Sequence, residues 1–329
     1  MGRVTISAAF AALAAVTAAG AAELPESIKQ AGTLRLTVSS TYAPMEYRDP
    51  ETNQLVGLDI DLATEIAKRL SLKIVWSETP FAEIIPALQT KRADFVISGI
   101  TDRLSRRENA DFVDYLTTGA QFFVLASSPA QATIDLCGKK VGTTRSTIFP
   151  VEIEKWSKAN CEAAGKPAVQ FSPGENAVDV RNQLKQGRID AAVQGNETLP
   201  YALKQEPGKY RVVGEPFSSG YQGIMFRKDD AALRQAVTDV LAAMIADGAY
   251  QTILAKWSLA ANAVRTRELR EIFHGRKPRC REDDGEVSNR PSIRTAMVPR
   301  GGTNHRQCDF QSHALPTFAL RCSPALKII

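Results

Sequence analysis

The sequence predicts an α/β protein with two similar lobes that face each other across a cleft. The first observation is a stretch that occurs twice: 88–98 is echoed by 184–194, and Gly99 and Gly195 follow the two copies. Each copy has the pattern of a helix end, a tight turn and a short apolar strand. Strands also alternate with helices along the chain, and 329 residues suit two domains. Because ligands bind beyond the carboxyl ends of strands in open α/β sheets, we expect a binding cleft with one wall from each lobe.

The first lobe is predicted from four patterns. Apolar and polar residues alternate over 33–40, which indicates a strand, and apolar residues recur every four positions over 58–70, which indicates a helix. The run 72–76 reads as a second strand. An i, i+3, i+4, i+7 apolar stripe over 81–88 indicates a short helix that leads into the first copy.

The second lobe and the return to the first follow from similar patterns. They are predicted as a crossover strand at 122–125, a strand at 136–141, a helix ending near Lys158, a helix over 178–185, a strand at 210–213, a return crossover over 216–223, a strand at 224–227 and closing helices at 230–247 and 248–257.

The two ends of the chain differ from the body. Residues 1–22 combine a basic start, a short apolar core and small residues at the end, which predicts a cleaved signal peptide. The alternative is an N-terminal membrane anchor, although the apolar run is shorter than the roughly 20 residues that a membrane span needs. We expect lobe 1 to comprise 23–118 and 222–263, and lobe 2 to comprise 119–221. The remainder, 264–329, is an atypical basic tail that we expect to be disordered, with a basic interaction tail as the alternative.

Charge and composition exclude several functions for the body. From Arg265 onward there are 13 Lys and Arg against 7 Asp and Glu, and before it 28 against 29, so the body is nearly neutral and gives no electrostatic case for nucleic acid. All three histidines lie in the tail, so the body has none for a Ser-His or Cys-His pair or for a histidine-based metal site. We expect no cofactor and no metal.

Two cysteines of the second lobe, Cys137 and Cys161, lie 24 residues apart. In an oxidising compartment we expect them to form a disulfide bond, and two unpaired thiols are the alternative.

The segment 98–106 is the one best suited to bind an anion. It starts at the end of a predicted strand and supplies two hydroxyl side chains, a glycine and then Arg106. An arginine binds a carboxylate through two parallel N–H donors, and hydroxyls and backbone N–H groups complete such a site. A solvated basic turn formed by Arg103, Arg106 and Arg107 is the alternative interpretation.

The same segment, SGITDRLSR, resembles a stretch of bacterial periplasmic amino-acid-binding proteins of solute-binding family 3, which includes the histidine- and glutamine-binding proteins of ABC importers. Further matching motifs, in the same order as in the family, are 41–47 (TYAPMEY), 57–62 (GLDIDL), 84–88 (IIPAL), 187–193 (GRIDAAV) and 246–250 (ADGAY). The resemblance covers about Leu24 to Ala263, and the tail has no counterpart. It implies the two-lobed type II periplasmic-binding-protein fold, the Venus flytrap, with two crossover hinge strands.

The resemblance also implies ligand-binding roles. Arg106 would hold the ligand α-carboxylate, and Tyr42 and Phe81 would enclose the ligand side chain, with ordinary core packing as the alternative for both aromatic residues. The full set of ligand-binding residues that it implies is Tyr42, Phe81, Ser98, Gly99, Thr101, Arg106, Ser146, Thr147, Gly195 and Glu197.

The chain departs from the family pattern at the expected cationic end of the ligand. Gly195 stands where members that hold an α-ammonium usually have Asp, and Ser39 stands where binders of basic amino acids tend to have Asp. Arg145 adds a positive charge beside the expected carboxylate site. Glu197 could take over the ammonium, and the alternatives are neutral groups of Gln194 and Asn196, a ligand without a free ammonium, or a surface position for Glu197. We therefore predict against lysine, arginine and histidine as preferred ligands.

The predicted function is an extracytoplasmic solute-binding receptor that delivers a polar amino acid or a derivative to an ABC importer. We expect a monomer in the periplasm whose partners are a small-molecule ligand and an ABC permease in the inner membrane. The alternative is an enzyme on the same scaffold, similar to a cyclohexadienyl dehydratase, in which Glu197 or Glu46 would be the acid. A receptor-kinase sensor domain is a third, less favoured possibility.

Overall fold

The computed structural model describes residues 23–264. The predicted signal peptide (1–22) and the predicted tail beyond Val264 lie outside this range. Val264 is buried, and its N–H donates to the Tyr250 hydroxyl at 2.9 Å, so the end of the described chain packs against the body. Within 23–264, no helix has both the length and the apolar character needed to cross a bilayer.

The described residues alternate between helices and strands. The helices are α1 (Glu26–Ala31), α2 (Leu58–Arg69), α3 (Phe81–Gln89), α4 (Leu104–Arg107), α5 (Phe149–Asn160), α6 (Ala177–Lys185), α7 (Leu199–Gln205), α8 (Ala231–Ala246) and α9 (Ala249–Lys256). The strands are β1 (Thr33–Val38), β2 (Thr41–Tyr42), β3 (Glu46–Arg48), β4 (Leu55–Val56), β5 (Lys73–Glu78), β6 (Phe95–Val96), β7 (Ala110–Thr118), β8 (Ala120–Leu125), β9 (Lys140–Thr144), β10 (Gln170–Gly174), β11 (Ala191–Gly195), β12 (Tyr210–Val213) and β13 (Gly220–Arg227).

Two five-stranded sheets organise these elements. The first has the order β5-β1-β6-β13-β7 and the second the order β10-β9-β11-β8-β12. Each sheet contains three parallel strands followed by antiparallel ones. A small third sheet has the order β2-β3-β4. We propose that the two large sheets mark lobe 1 and lobe 2. The first sheet includes β13, which begins at Gly220, two residues before the predicted return to lobe 1 at 222.

The repeated stretch performs the same structural task in both sheets. In the first copy, the Asp94 carboxylate accepts the Arg35 N–H at 2.7 Å, and the Asp94 N–H donates to the Arg35 carbonyl at 2.8 Å. In the second copy, Asp190 forms the same two bonds with Lys140, each at 2.8 Å. Each aspartate thus fixes the start of a parallel strand against its neighbour, which sets where the carboxyl ends of the strands emerge.

The chain passes between the sheets twice, and the two crossings lie close together. The first occurs at Gly119, between β7 and β8, and therefore precedes 122–125, where the sequence predicted it. A Cβ on Gly119 would lie 2.2 Å from the Ser218 carbonyl oxygen on the returning segment, so only glycine fits there. Asn196 stabilises the first crossing, because its Oδ1 accepts the Gly119 N–H at 2.8 Å.

The predicted strand 136–141 is wrong. Thr133–Leu136 form a 3-10 turn, and β9 begins only at Lys140. Asp135 stabilises the turn, because its carboxylate accepts the N–H groups of Gln131 and Ala132, both at 2.9 Å. Gly138, with φ of +76°, separates the turn from the strand.

The predicted disulfide bond between Cys137 and Cys161 is confirmed. It connects the segment before β9 to the end of α5 and lies beside a core that includes Leu136, Val141 and Ile153. The bond closes a 24-residue loop around the lobe-2 elements that face the cleft.

Candidate functional site

A cavity lies between the lobes, at the carboxyl ends of strands from both sheets. Its lobe-1 wall comprises Ser39, Thr41, Tyr42, Phe81, Gly99, Thr101 and Arg106. Its lobe-2 wall comprises Thr143, Thr144, Thr147, Ile148, Phe149, Asn176, Ala177, Val193 and Gln194. Many of these residues end or follow β1, β6, β9 and β11, or begin α3, α5 and α6. The cavity therefore lies where we expected it, beyond the carboxyl ends of the strands of both sheets.

Arg106 is the only charged residue among the described residues that line this cavity. It lies on α4, and one guanidinium N–H (Nη1) donates to the Thr101 carbonyl oxygen at 2.7 Å. The neighbouring arginines are paired, Arg103 with Glu152 and Arg107 with Asp102, whereas Arg106 has no ion pair with any carboxylate of residues 23–264. Burial, together with Arg103, lowers the pKa of Arg106 to about 10, which still leaves it charged at neutral pH. A mostly buried cation without a counter-charge favours an anionic occupant.

Tyr42 and Phe81 supply the aromatic surface of the lobe-1 wall. The Tyr42 ring lies over Gly99, where a Cβ would be only 2.8 Å from a ring carbon. Gly99 also has φ of +52°, a conformation that side chains disfavour, so glycine is required here for two independent reasons. The close approach brings the Tyr42 ring and the exposed backbone of the Gly99 turn together in one wall.

Two buried acids, Asp59 and Glu46, hold the Gly99 turn in position through hydrogen bonds. The Asp59 carboxylate accepts the Gly99 N–H at 2.7 Å, and the Glu46 carboxylate accepts the Ser98 hydroxyl at 2.8 Å. The Ser98 hydroxyl in turn accepts the Ser39 N–H at 3.0 Å. Burial and the adjacent Asp59 raise the pKa of Glu46 well above its usual range, and burial raises that of Asp59 to about 6. Ser98 therefore supports the cavity wall through these hydrogen bonds and does not itself line the cavity.

On the lobe-2 side, hydroxyl groups and helix starts line the cavity. Thr147 lies just before α5, and its hydroxyl donates to the Thr144 carbonyl at 2.7 Å. Asn176 caps α6, since its Oδ1 accepts the Asp179 N–H at 2.9 Å. Arg145, which we considered as a second cation at the site, pairs with Glu175 at 2.6 Å on the exposed surface and does not line the cavity.

Gln194 is a lining residue whose polar atoms have no partner. It is only 3% exposed, and neither Oε1 nor Nε2 forms a hydrogen bond within the described part of the chain. A buried amide left without partners costs about 1–3 kcal/mol, so a ligand that supplies partners gains that much. Gln194 is thus a strong candidate for a ligand contact.

Glu197 occupies the space that a side chain on Gly195 would need. A Cβ on Gly195 would lie 2.1 and 2.4 Å from the two carboxylate oxygens of Glu197. Glu197 is 1% exposed and accepts hydrogen bonds from three neutral groups, the Tyr42 hydroxyl (2.9 Å), the Thr118 hydroxyl (2.6 Å) and the Gln222 amide (2.7 Å). Burial raises the pKa of Glu197, although these donors oppose the rise. The chain therefore places a carboxylate beside position 195 without having an acid at that position.

The structure brings together six of the ten residues that the resemblance implied. The residues that line the cavity are Tyr42, Phe81, Gly99, Thr101, Arg106 and Thr147, and those that do not are Ser98, Ser146, Gly195 and Glu197. Sequence reasoning did not identify the hydroxyls of Thr41, Thr143 and Thr144 or the Asn176 cap. Thr41 lies on β2 of the small sheet, and the order of strands in the second sheet decides the positions of the other three. No single motif indicates either arrangement.

Several direct contacts cross between the lobes, and two of them involve a carboxylate of lobe 2. Arg103, just before α4, donates to Glu152 on α5 at 3.0 Å, and the Glu152 side chain is 11% exposed. Tyr42 on the small sheet donates to Glu197, which follows β11. These contacts hold the two walls against each other.

Two lobes joined by two crossings, with an unpaired cation and an unpaired amide between them, define a ligand-binding protein of the hinged two-lobe class. The chain belongs to the bacterial extracellular solute-binding proteins, family 3, whose family model matches residues 34–260. Its fold is the type II periplasmic-binding fold, as the resemblance predicted.

Named relatives agree with this assignment. The chain is 32% identical over 256 residues to the histidine-binding periplasmic protein of Escherichia coli K12, which covers 75% of this chain and 92% of that protein. It is 30% identical over 241 residues to the arginine-binding protein ArgT of Corynebacterium glutamicum, which covers 72% of this chain and 78% of that protein. Among solved structures, an ancestral arginine-binding protein bound to arginine superposes with a TM-score of 0.62 at 34% identity, covering 69% of this chain and 98% of the other.

These findings confirm the predicted class, a solute-binding protein of transport and not an enzyme. They do not support the dehydratase alternative. They also confirm an extracytoplasmic location in general terms, since the matching family is extracellular.

Proposed function

We propose that this protein is the receptor of an ABC importer, which binds a polar amino acid or a derivative between its lobes and presents the closed form to a membrane permease. Residues 1–22 would direct it to the periplasm, where it would act as a monomer. The relatives named for histidine and arginine support an amino-acid ligand. The observation that carries the proposal is Arg106, a mostly buried guanidinium between the lobes without a counter-charge among residues 23–264.

Arg106 would bind the α-carboxylate through its free N–H donors. Thr101 borders the same cavity, and its hydroxyl can add a donor to the carboxylate. The Gly99 N–H and the Thr147 hydroxyl donate to Asp59 and to the Thr144 carbonyl, so these two residues shape the wall around the carboxylate. Tyr42 and Phe81 would cover the ligand side chain with aromatic surface. Because the ligand would contact binding groups of both lobes, it would bind the closed form more tightly than the open one. This difference in affinity is what allows a ligand to drive closure.

The α-ammonium would lie beside Gln194, with Glu197 behind it. Gln194 Oε1 is a buried acceptor without a donor, and the Glu197 carboxylate stands where the side chain of residue 195 would be. In this arrangement Gly195 and Glu197 together would replace the aspartate that the family resemblance leads us to expect at position 195.

The ligand side chain would be uncharged. Among the described residues that line the cavity there is no acid, and Ser39 borders it where binders of basic amino acids tend to have Asp. A cationic side chain would therefore enter a cavity that already contains Arg106 and would find no counter-charge. In keeping with an uncharged ligand, an ancestral arginine-binding protein has also been solved bound to glutamine, and it is 35% identical with a TM-score of 0.62.

A thermal-shift screen of the twenty amino acids and of amino-acid derivatives tests this function. We expect a concentration-dependent rise in Tm with polar uncharged amino acids, and a smaller rise or none with lysine, arginine and histidine. Preferential stabilisation by a basic amino acid would contradict the ligand class. No stabilisation by any amino acid or amino-acid derivative would contradict the function itself.

The role of Glu197 is tested with a matched pair of ligands, the best amino acid of the screen and its deaminated acid. Glu197→Gln removes the charge but keeps the shape, so we expect it to weaken the amino acid by about 10- to 100-fold and to leave the deaminated acid unchanged. Glu175→Gln, an exposed acid of the same lobe, is the control and should affect neither ligand. Equal weakening of both ligands by Glu197→Gln would indicate a structural role only.

A further inference from the structure

A second cavity lies between the lobes, next to the first. It has a volume of about 300 Å³, and Thr41 lines both cavities. Its lobe-1 side includes Tyr47 and Arg48 of β3, and its lobe-2 side includes Arg181 of α6 and Tyr201 of α7. Tyr47 and Tyr201 meet across the lobes with ring centroids 5.5 Å apart. The cavity is therefore complete only when the lobes are together.

Arg181 is the unusual group in this cavity. It is mostly buried, and within residues 23–264 it forms neither a hydrogen bond nor an ion pair. Burial lowers its pKa. A guanidinium has five donors, and leaving them buried without acceptors is costly. The same reasoning identified Arg106 in the first cavity.

The other charged groups around the cavity compensate one another. Arg48 donates to Glu78 on its own lobe, at 3.0 Å through Nε. Glu206, an acid that also lines the cavity, pairs with Lys185 at 3.4 Å and accepts the Tyr210 hydroxyl at 3.1 Å. With these two pairs neutral, the charged groups around the cavity carry a net excess of one positive charge, that of Arg181. Glu206 attracts this charge without forming an ion pair with it.

We propose that this second cavity binds a small anion with carboxylate or phosphate oxygens, held by Arg181 from lobe 2 and by hydroxyl groups of lobe 1. The free guanidinium donors suit such oxygens in a two-pronged contact. Thr41 and Tyr47 line the lobe-1 side and carry hydroxyl donors, whereas the Ser40 hydroxyl already donates to Glu78. Because the anion contacts both lobes, it stabilises the closed form independently of the contacts that the amino acid makes in the first cavity.

The anion has two possible sources, a free anion or a second acidic group on the cargo. A free anion adds to the effect of the amino acid, whereas an acidic group on the cargo occupies the second cavity itself and prevents the free anion from acting. The proposal goes beyond the proposed transport function, and only its second source depends on which amino acid is carried.

Thermal unfolding with inorganic phosphate and with succinate, at constant ionic strength, tests the proposal. In the unaltered protein we expect a saturable rise in Tm of about 2–4 °C with at least one of these anions. Arg181→Gln should abolish the rise. Arg188→Gln, which removes the same charge from an exposed position of the same lobe, should retain it.

Two further measurements separate the possible outcomes. A repeat with the best amino acid of the screen at saturation gives an additional rise if the anion is free, and no additional rise if the cargo supplies the acidic group. If the anion is free, Arg181→Gln keeps its full response to that amino acid. If the cargo supplies the acidic group, the response is weaker, and a cooperative unfolding transition shows that the variant folds. Loss of amino-acid binding in an Arg106 variant should leave the effect of the free anion intact. No rise in the unaltered protein, or an equal rise in Arg181→Gln, would overturn the proposal.

Discussion

Replacing Arg106 by methionine separates ligand binding from folding. The substitution keeps an unbranched apolar chain of similar length and removes the guanidinium that faces the cavity. If Arg106 binds a carboxylate, the variant loses two charge-assisted hydrogen bonds of about 1.5–3 kcal/mol each. The expected loss of affinity is about 100-fold to 10,000-fold, since every 1.4 kcal/mol is a factor of ten.

The stability of the unliganded protein should change much less. Within the described residues Arg106 makes one hydrogen bond, from Nη1 to the Thr101 carbonyl, which contributes about 1 kcal/mol. Losing this bond is offset by removing a mostly buried charge that has no ion pair among residues 23–264. We therefore expect the free energy of unfolding of the unliganded Arg106→Met variant to stay within about 1 kcal/mol of that of the original protein.

Isothermal titration calorimetry measures the affinity, and thermal unfolding without ligand measures the stability. Arg106→Lys keeps the charge without the two-pronged geometry and should fall between the original protein and Arg106→Met. Arg92→Met changes an exposed arginine of the same lobe and serves as the control. Unchanged affinity in Arg106→Met would refute the reasoning. Lost affinity accompanied by a large loss of stability without ligand would mean that Arg106 acts through the fold and not on the ligand.

Three further predictions follow from contacts outside the cavity wall. Burial and the nearby Asp102 raise the pKa of Asp114 to about 8. Between about pH 4 and pH 8 the folded protein therefore holds a proton on Asp114 that the unfolded chain has lost. As the pH rises through this range, the free energy of unfolding, relative to that of Asp114→Asn, should fall by about 1.4 kcal/mol per pH unit in thermal or urea unfolding. Replacing Cys137 and Cys161 by serine should lower the free energy of unfolding in urea by roughly 3–4 kcal/mol, because their bond closes a 24-residue loop. Arg103→Ala should weaken ligand binding in calorimetry by only a few-fold, because it removes a partly exposed ion pair that holds the lobes together.

Each of these predictions has an outcome that contradicts it. A difference between Asp114→Asn and the original protein that does not vary with pH would show that the carboxyl stays ionised in the folded state. Equal urea stability of the double serine variant would show that the disulfide does not contribute to folding. Arg145→Ala removes an ion pair that lies within lobe 2, so it should leave the affinity unchanged, and an equal effect of Arg103→Ala and Arg145→Ala would exclude a specific role for the contact between the lobes.

Much of the fold could be predicted because local patterns and global architecture agree. The apolar stripe of α3 and the alternation of β1 predicted those elements closely, and the repeated stretch predicted two similar sheets. The strand at 136–141 could not be predicted correctly, since the aspartate turn that precedes β9 depends on two backbone N–H groups and not on an apolar pattern.

The binding site was predictable where a motif lies at a strand end and was not predictable where distant chain segments meet. Arg106 and the Gly99 turn belong to one motif, so their proximity follows from the sequence. The relation between Gly195 and Glu197 was open in the sequence, because only the folded backbone decides whether the Glu197 side chain turns back toward position 195 or out to solvent. No sequence pattern identified Arg181 as a candidate binding residue, because the residues that surround it come from both lobes.

The central claim is that the cleft binds an amino acid through Arg106. Calorimetric titration of the ligand-free protein with the best amino acid of the screen tests it most directly, in parallel with the Arg106→Met variant. We predict one ligand per chain, recovered chemically unchanged, and a loss of binding of at least about 100-fold in the variant. Conversion of the amino acid into a product, or equal binding by both proteins, would contradict the account.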